Sequence, residues 1–422
     1  MQHYLPYLQW IDHQRNAMKD LVISWGNINT HATNYTGLTE QMIALKKSFE
    51  LLGGTMKEVD LPSYTVVDDH GIKSQKKLGR ALYIEKRPEA SLQVLFAGHM
   101  DTVYSEHSSF QKVEDIDDIK LHGPGVCDMK GGLVVMLTAL QALEKSPYAE
   151  HIGWQIIINP DEEIGSPGSH GLYQQAASRA NLGLLFEPSH MDGSIVSSRA
   201  GSMKLSILVK GKAAHAGRDY AKGRSSIFAL APLIVELEAL NTLKPNGDDV
   251  ANFDDQVIVN CGELRSGTGY NVVPDLAVLR VNVRAARPEL LKQVRAKIED
   301  LIKKHSIRDG IWMDLHDDGT NPPKLLDAST QKIITGLEES AKDLGFTLTK
   351  KPSRGACDGS FLAACGLSCV DSLGVTGGNI HTHDEFLLID SLPARAKLTA
   401  LFILRLASGE YVCDVAKPVI AL

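Results

Sequence analysis

Cysteine, aromatic residues and any excess of basic charge are scarce in this 422-residue chain, and each scarcity removes a class of function. Its six cysteines, Cys127, Cys261, Cys357, Cys365, Cys369 and Cys413, form no Cys-x-x-Cys pair. That argues against a disulfide framework and against a closed, cysteine-rich structural zinc site, so reduced and partly buried thiols are expected. Lys and Arg number 44 against 51 Asp and Glu, a formal charge of −7, without the clustered basic surface that nucleic acid requires. No apolar run approaches the ~20 residues of a membrane span. The first nineteen residues mix aromatics with Asp12, Arg15 and Lys19, where a signal peptide would carry an apolar core. These absences predict a cytoplasmic protein with neither nucleic acid nor membrane as partner.

What is present is an ordinary globular composition in a chain too long for one core, so two domains are expected. Met42, Leu45, Phe49 and Leu52 share one helical face over 39–52, and Gly53-Gly54 ends that helix. Strands are predicted at 81–85, 92–97, 154–159 and 182–186, with an apolar helix at 131–144. This alternation means a mainly parallel sheet covered by helices, an α/β fold. After Gly201 the rhythm changes to strands at 203–210, 256–263 and 276–284 and helices at 226–240 and 288–305, a two-layer α/β unit. Beyond about 317 the first style returns, with a helix at 330–344, a short strand at 370–373 and a last helix from Asp390. Asp390 suits the N-cap and Pro393 the first turn. The expectation is a discontinuous catalytic domain, 1–200 with 317–422, interrupted by an inserted domain, 201–316.

Five clusters of polar residues stand at predicted strand ends or in the loops that follow. They are His99 with Asp101, Asp128 in a glycine-rich loop, the triplet Asp161-Glu162-Glu163, Glu187, and His381-Thr382-His383-Asp384-Glu385. The carboxyl ends of strands in a parallel sheet are where ligands bind. Each cluster also has a plain reading as solvated charge, a turn residue or helix-end acid. The glycine loop lacks the Gly-Lys-Ser/Thr ending of a phosphate cradle. Together the five supply imidazoles and at least three carboxylates, a nitrogen and oxygen donor set suited to zinc or a similar divalent ion. Carboxylates and open positions point to catalysis.

The order Gly98-His99-Met100-Asp101-Thr102, Gly123-Pro124-Gly125-Val126-Cys127-Asp128-Met129-Lys130-Gly131-Gly132, Asp161-Glu162-Glu163-Ile164-Gly165, Glu187-Pro188 and His381 to Glu385 resembles a known family. It is the zinc-dependent family of glutamate carboxypeptidase, acetylornithine deacetylase, succinyl-diaminopimelate desuccinylase and aminoacylase. Gly211 to Gly217 and Asn271-Val272-Val273-Pro274 resemble that family's lid domain, which implies a homodimer joined through the lid. The resemblance implies two divalent ions, zinc foremost with cobalt or manganese as alternatives. Asp128 would bridge them, His99 and Glu187 completing one and Glu163 and His381 the other. Asp101 would orient the His99 ring. Glu162 would be the general base acting on a metal-bridging water. His215, reaching in from a partner subunit, would help bind the oxyanion. His381 is preferred to His383 as ligand because the family's histidine precedes an Asp-Glu pair by three and four positions. Cys127 is either a buried spacer or a competing soft ligand.

The implied reaction is hydrolysis of an amide bond in a small peptide or N-acyl amino acid. The motif wording resembles carboxypeptidases that release a C-terminal amino acid such as glutamate, with N-acyl-amino-acid deacylases as the alternative. A non-catalytic ligand-binding member of the fold is the remaining rival. Arg284, Asn271, Gly355 and Asp358 are candidates for gripping a substrate carboxylate.

Overall fold

The Leu92–His99 strand is apolar almost throughout because both of its faces are covered. Val94 and Phe96 pack in one cluster with Leu133, Leu137 and Leu140 of the Gly131–Glu144 helix, while Leu95 and Ala97 pack in another with Tyr173 and Ala176. The computed structural model describes residues 1–242 and 253–413, so the parts of the two expected domains at 243–252 and 414–422 lie outside the described residues. The Leu92–His99 strand lies inside a six-stranded sheet ordered Thr55–Val59, Ala81–Lys86, Ile152–Asn159, Leu92–His99, Leu182–Leu185, Cys369–Val370. The last four run parallel, and Ala81–Lys86 alone runs antiparallel to both of its neighbours, giving the mainly parallel α/β architecture expected.

A second sheet orders Val257–Ser266, Leu276–Ala285, Gly201–Lys210 and Trp312–Asn321, all antiparallel. Its Met203, Leu205, Ile207 and Val209 alternate toward the helices Ser226–Glu238 and Pro288–Ser306 in a core of their own. The last strand runs to Asn321, across the expected boundary at 316 and 317, because it pairs with Gly201–Lys210 along its whole length. The chain's entry into this sheet and its exit lie side by side: the N–H of Arg199 donates to the Lys324 carbonyl at 2.8 Å and the reverse bond is 3.0 Å.

Several local expectations need correction. The predicted helix at 39–52 starts earlier, at Tyr35, because the Asn34 side chain caps it by accepting from Gly37 N–H. Asp390 precedes the Ser391–Ser408 helix but makes no capping bond, since its carboxylate takes Arg15 Nε at 2.7 Å. Val126–Glu144 is long and apolar enough to cross a membrane by composition, contrary to the reading above, yet 94% of its apolar window is buried inside the fold. Four α-helices of the described residues escaped the sequence reading, Leu5–Asp12, Arg15–Gly26, His170–Ala177 and Gly359–Ala364, and the first two bury Leu8, Ile11, Met18, Val22 and Trp25 in the main core.

Candidate metal centre

Three parallel strands of the large sheet end at the same edge and deliver three of the clusters. His99 closes the Leu92–His99 strand, Glu162 and Glu163 follow Ile152–Asn159, and Glu187 lies two residues past Leu182–Leu185. Asp128 comes from the turn before the Gly131–Glu144 helix, across a cis bond to Met129. That helix lies tightly on the neighbouring strand end, since a Cβ on Gly132 would stand 2.0 Å from the Phe186 carbonyl oxygen. His381, with φ +63°, follows the Gly377–Gly378 strand.

Asp128 sits at the centre of the assembly. Its Oδ1 is 3.1 Å from His99 Nε2 and its Oδ2 is 3.4 Å from His381 Nε2. On the first side Glu187 Oε1 lies 4.0 Å from His99 Nε2, and on the other Glu163 Oε2 lies 3.2 Å from His381 Nε2. One carboxylate therefore presents one oxygen to each of two histidines, with a second carboxylate beside each. Donor atoms of His99, Asp128 and Glu163 lie within 4.8 Å of one another, close enough to share an ion. His383 is elsewhere: its Nε2 is 3.2 Å from Ser108 Oγ and its ring stacks on Phe110. The Cys127 thiol is fully buried against Gly377, and burial raises its pKa well above the ordinary value.

The electrostatics suit cations. Burial pushes Glu187 up to about 8 and Glu162 well above the carboxylate range, with neighbouring carboxylates adding to the rise and His99 only partly offsetting it. Hydrogen bonds to Asp128 and Glu163 push His381 up to about 10. Burial opposes charging His99, but Asp101, Asp128 and Glu187 outweigh it and raise its pKa. Divalent ions would displace these protons and neutralise the excess carboxylates. Two imidazoles and three carboxylates of this arrangement are an N/O set that fits such ions.

Two buried carboxylates brace the loops. Asp101 accepts the backbone N–H groups of Glu162 at 3.2 Å and Glu163 at 3.0 Å. The His99 ring meets the Asp101 backbone carbonyl at 3.0 Å and its carboxylate only at 3.4 Å, so that carboxylate chiefly holds the acidic segment. Glu385 accepts from the N–H groups of Gly125, Cys127 and Asp128 at 2.8–3.0 Å and from the Tyr104 hydroxyl at 2.7 Å. It thereby fixes the backbone that carries Asp128. Sequence reasoning placed Glu385 in a motif and gave it no task; its only signal was an acid four residues after His381.

The cleft over this cluster, about 360 Å³, is also lined by Arg199 and Gly355. Arg199 went unnoticed in the sequence, although it is the single charge in Ile195–Arg199. Its Nη1 donates to the Gly355 carbonyl at 2.8 Å and its Nη2 to Asp371 at 2.8 Å, while its buried Nε has no partner among the described residues. Among the substrate candidates, Asp358 does not face the cleft. Its buried carboxylate is bound by the Ser166 and Tyr173 hydroxyls, so it is a structural acceptor. Arg284 lies on the second sheet, donating to Asn282 Oδ1 and the Arg354 carbonyl, outside the cleft lining. His215 and Asn271 are exposed and share a small ribbon in which Ala214–His215 pairs with Val272–Val273. Neither lines the metal cleft of its own chain.

The sequence profile of peptidase family M20/M25/M40 matches residues 95–405. Carboxypeptidase G2 of Pseudomonas sp. (strain RS-16) is 27% identical over 320 residues, 75% of this chain and 74% of that protein. Succinyl-diaminopimelate desuccinylase of Pseudomonas syringae pv. syringae is 29% identical over 323 residues, 70% of this chain and 79% of that one. The crystal structure of Bacillus subtilis YXEP, described as a dinuclear metal-binding peptidase, superposes with a TM-score of 0.65 at 14% identity, covering 95% of this chain and 100% of its own.

Proposed function

Because the chain belongs to peptidase family M20/M25/M40, it is a hydrolase of amide bonds in peptides or N-acyl amino acids, and we propose that it is a two-metal carboxypeptidase releasing a C-terminal amino acid such as glutamate. The observation that carries this reading is Asp128 with one oxygen toward His99 and the other toward His381, beside Glu162. His99, Asp128 and Glu187 would hold one divalent ion, and His381, Asp128 and Glu163 the other, most readily zinc given the donor set. When bound, the ions acidify water and take up oxyanion charge. Glu162 takes a proton from the attacking water and delivers it to the leaving amine nitrogen. Asp101 keeps Glu162 in place through its backbone N–H, and Gly355 and Arg199 form the wall against which substrate rests.

The desuccinylase relative supports a second reading, removal of an acyl group from an N-acyl amino acid. The same residues serve either substrate. We further propose that residues 201–316 act as a lid and that copies of the chain pair through it. This would offer the exposed ribbon with His215 and Asn271 to a partner's site. Exposed Phe228 and Val235 on the Ser226–Glu238 helix support that pairing.

The test is turnover of a panel of C-terminal-glutamate dipeptides, N-acetyl and N-succinyl amino acids and free dipeptides, followed by mass spectrometry. Zinc-loaded protein should cleave at least one class, and chelated protein none. Glu162→Gln should lose at least about a thousandfold in kcat with its metal content unchanged. Retained turnover in that variant would remove Glu162 from the chemistry.

A further inference from the structure

Among the cations on the face of the second sheet turned away from its helices, three lie close together. On Leu276–Ala285 these are Arg280 and Arg284, flanking Asn282, and on the neighbouring strand Lys204 stands opposite Asn282. Alternation of side chains puts all three on one face. Arg280 is neutralised, its Nη2 2.5 Å from Asp69 and its Nε 2.9 Å from Glu263. Among the described residues Lys204 and Arg284 have no such partner. Arg284 donates only to neutral oxygens, of Asn282 and of the Arg354 backbone. Lys204 makes no ion pair, and the acids that act on it are Glu162, Glu163 and Asp318.

The position of Lys204 gives that free charge a use. A methyl on Gly165 would stand 3.8 Å from Lys204 Nζ, so the ammonium lies beside the turn that follows Glu162 and Glu163. Once two divalent ions neutralise the acids below, this ammonium no longer has them as counter-charge. Diagonal neighbours across paired strands are about 7–8 Å apart at the backbone, within reach of two long side chains. Lys204 and Arg284, neither of which lines the cleft over Asp128, therefore form one cationic pair that can receive a carboxylate extending from it. A lysine acts there as a point charge on a flexible stem, and a charge-assisted bond to it distinguishes carboxylate from an uncharged isostere.

We propose that Lys204 is a specificity-determining residue that receives a second carboxylate of the substrate, so that acidic amino acids or diacid acyl groups are selected over neutral counterparts. This rests on the reading that the site cleaves small peptides or N-acyl amino acids. Both sources of the second carboxylate share one chemistry, and substrate pairs separate them. N-acetyl-glutamate against N-acetyl-glutamine places the charge on the released amino acid; N-succinyl-alanine against N-butanoyl-alanine places it on the acyl group.

The experiment measures kcat and KM for both pairs with zinc-loaded wild type, Lys204→Met and Lys204→Arg. Lys204 is exposed on a strand, a position that accepts either replacement. Wild type should favour the charged member of one pair by about tenfold or more. Lys204→Met should abolish the preference through KM, and Lys204→Arg should keep most of it. Calorimetry supplies an arm without turnover: wild type should bind glutarate about tenfold tighter than 5-hydroxypentanoate, less so at high salt, and Lys204→Met should not. Equal handling of charged and neutral members by wild type, or equal loss of both in Lys204→Met, overturns the proposal. Absence of all turnover with the glutarate preference intact would overturn the hydrolytic reading and leave Lys204 as the anion site.

Discussion

Glu385 shows how much of a metal centre can depend on a residue that need not touch metal. Its two oxygens satisfy three backbone N–H groups in the loop that presents Asp128, in a place closed to water. Glu385→Ala would leave those donors buried and unpaired, at a cost of about 1–3 kcal/mol each before relaxation. Glu385→Gln keeps the shape but aims an amide N–H₂ at backbone donors. Both variants should bind zinc about 10–100-fold more weakly, read by competition with a chelating dye, and the Ala variant should also unfold at lower denaturant. Unchanged zinc affinity in both would mean that the loop holds its shape alone. At this scale the sequence was informative about residue types and weak about tasks. His99 and Glu163 were legible as candidate donors from their places at strand ends and Asp128 from its glycine-rich loop, with their ligand roles implied by the family resemblance. That Asp101 braces Glu162 and Glu163 more than it steers His99 depends on a 0.4 Å difference that no spacing encodes.

Among the elements, the paired crossings between the two sheets gather three buried charges. Arg199 and Lys324, bonded to each other through the backbone, both point into one buried carboxylate, Asp371, at 2.8 and 2.7 Å. Burial opposes charging Asp371, but Arg199 and Lys324 outweigh it and hold its pKa below the carboxylate range. Asp371→Asn leaves two buried cations without a counter-charge, which costs about 3–5 kcal/mol. The expected outcome is a lower denaturation midpoint at neutral pH. Because the folded pKa is depressed, the stabilisation is present above the ordinary aspartate value of about 4 and is lost as pH falls below it. The gap between wild type and variant should therefore be constant near neutrality and narrow in acid. A gap that widens in acid would contradict the assigned ionisation. Of the strands these crossings join, Gly201–Lys210 was readable from periodicity, as was the Gly131–Glu144 helix elsewhere, whereas Ile195–Arg199 and Trp312–Asn321 were not. The crossing itself was not, since Arg199 and Lys324 are 125 positions apart in the chain.

Taken as a whole, the molecule has a buried acidic centre and an exposed apolar helix face, and each predicts a bulk behaviour. Asp128, Glu162, Glu163 and Glu187 repel one another without cations, so bound metal should stabilise the fold by linkage. Chelation should abolish turnover and lower the thermal midpoint by several degrees, with both restored by zinc or cobalt; an unchanged midpoint would place the metals outside this cluster. On the Ser226–Glu238 helix, Phe228 and Val235 are each 66% exposed, seven residues apart on one face. If copies pair through this region, Phe228→Glu with Val235→Glu should convert a dimer to a monomer in light scattering while leaving metal binding intact. A monomeric wild type would instead remove the route by which His215 could serve a neighbouring site.

The sequence by itself determined the fold class and named the candidate ligands. Apolar strands, helix-period stripes and glycine positions are local consequences of backbone geometry, and they are written in consecutive residues. Tertiary structure alone decided which polar groups face one another. It turned His381 toward Asp128 and His383 toward Ser108, used up the Asp358 carboxylate on two hydroxyls, paired Arg280 with acids and, among the described residues, left Lys204 and Arg284 without an acidic partner. The physical reason is that a side chain's charge and hydrogen-bonding capacity become function only after its neighbours are known. Those neighbours come from strands and loops far away in the chain.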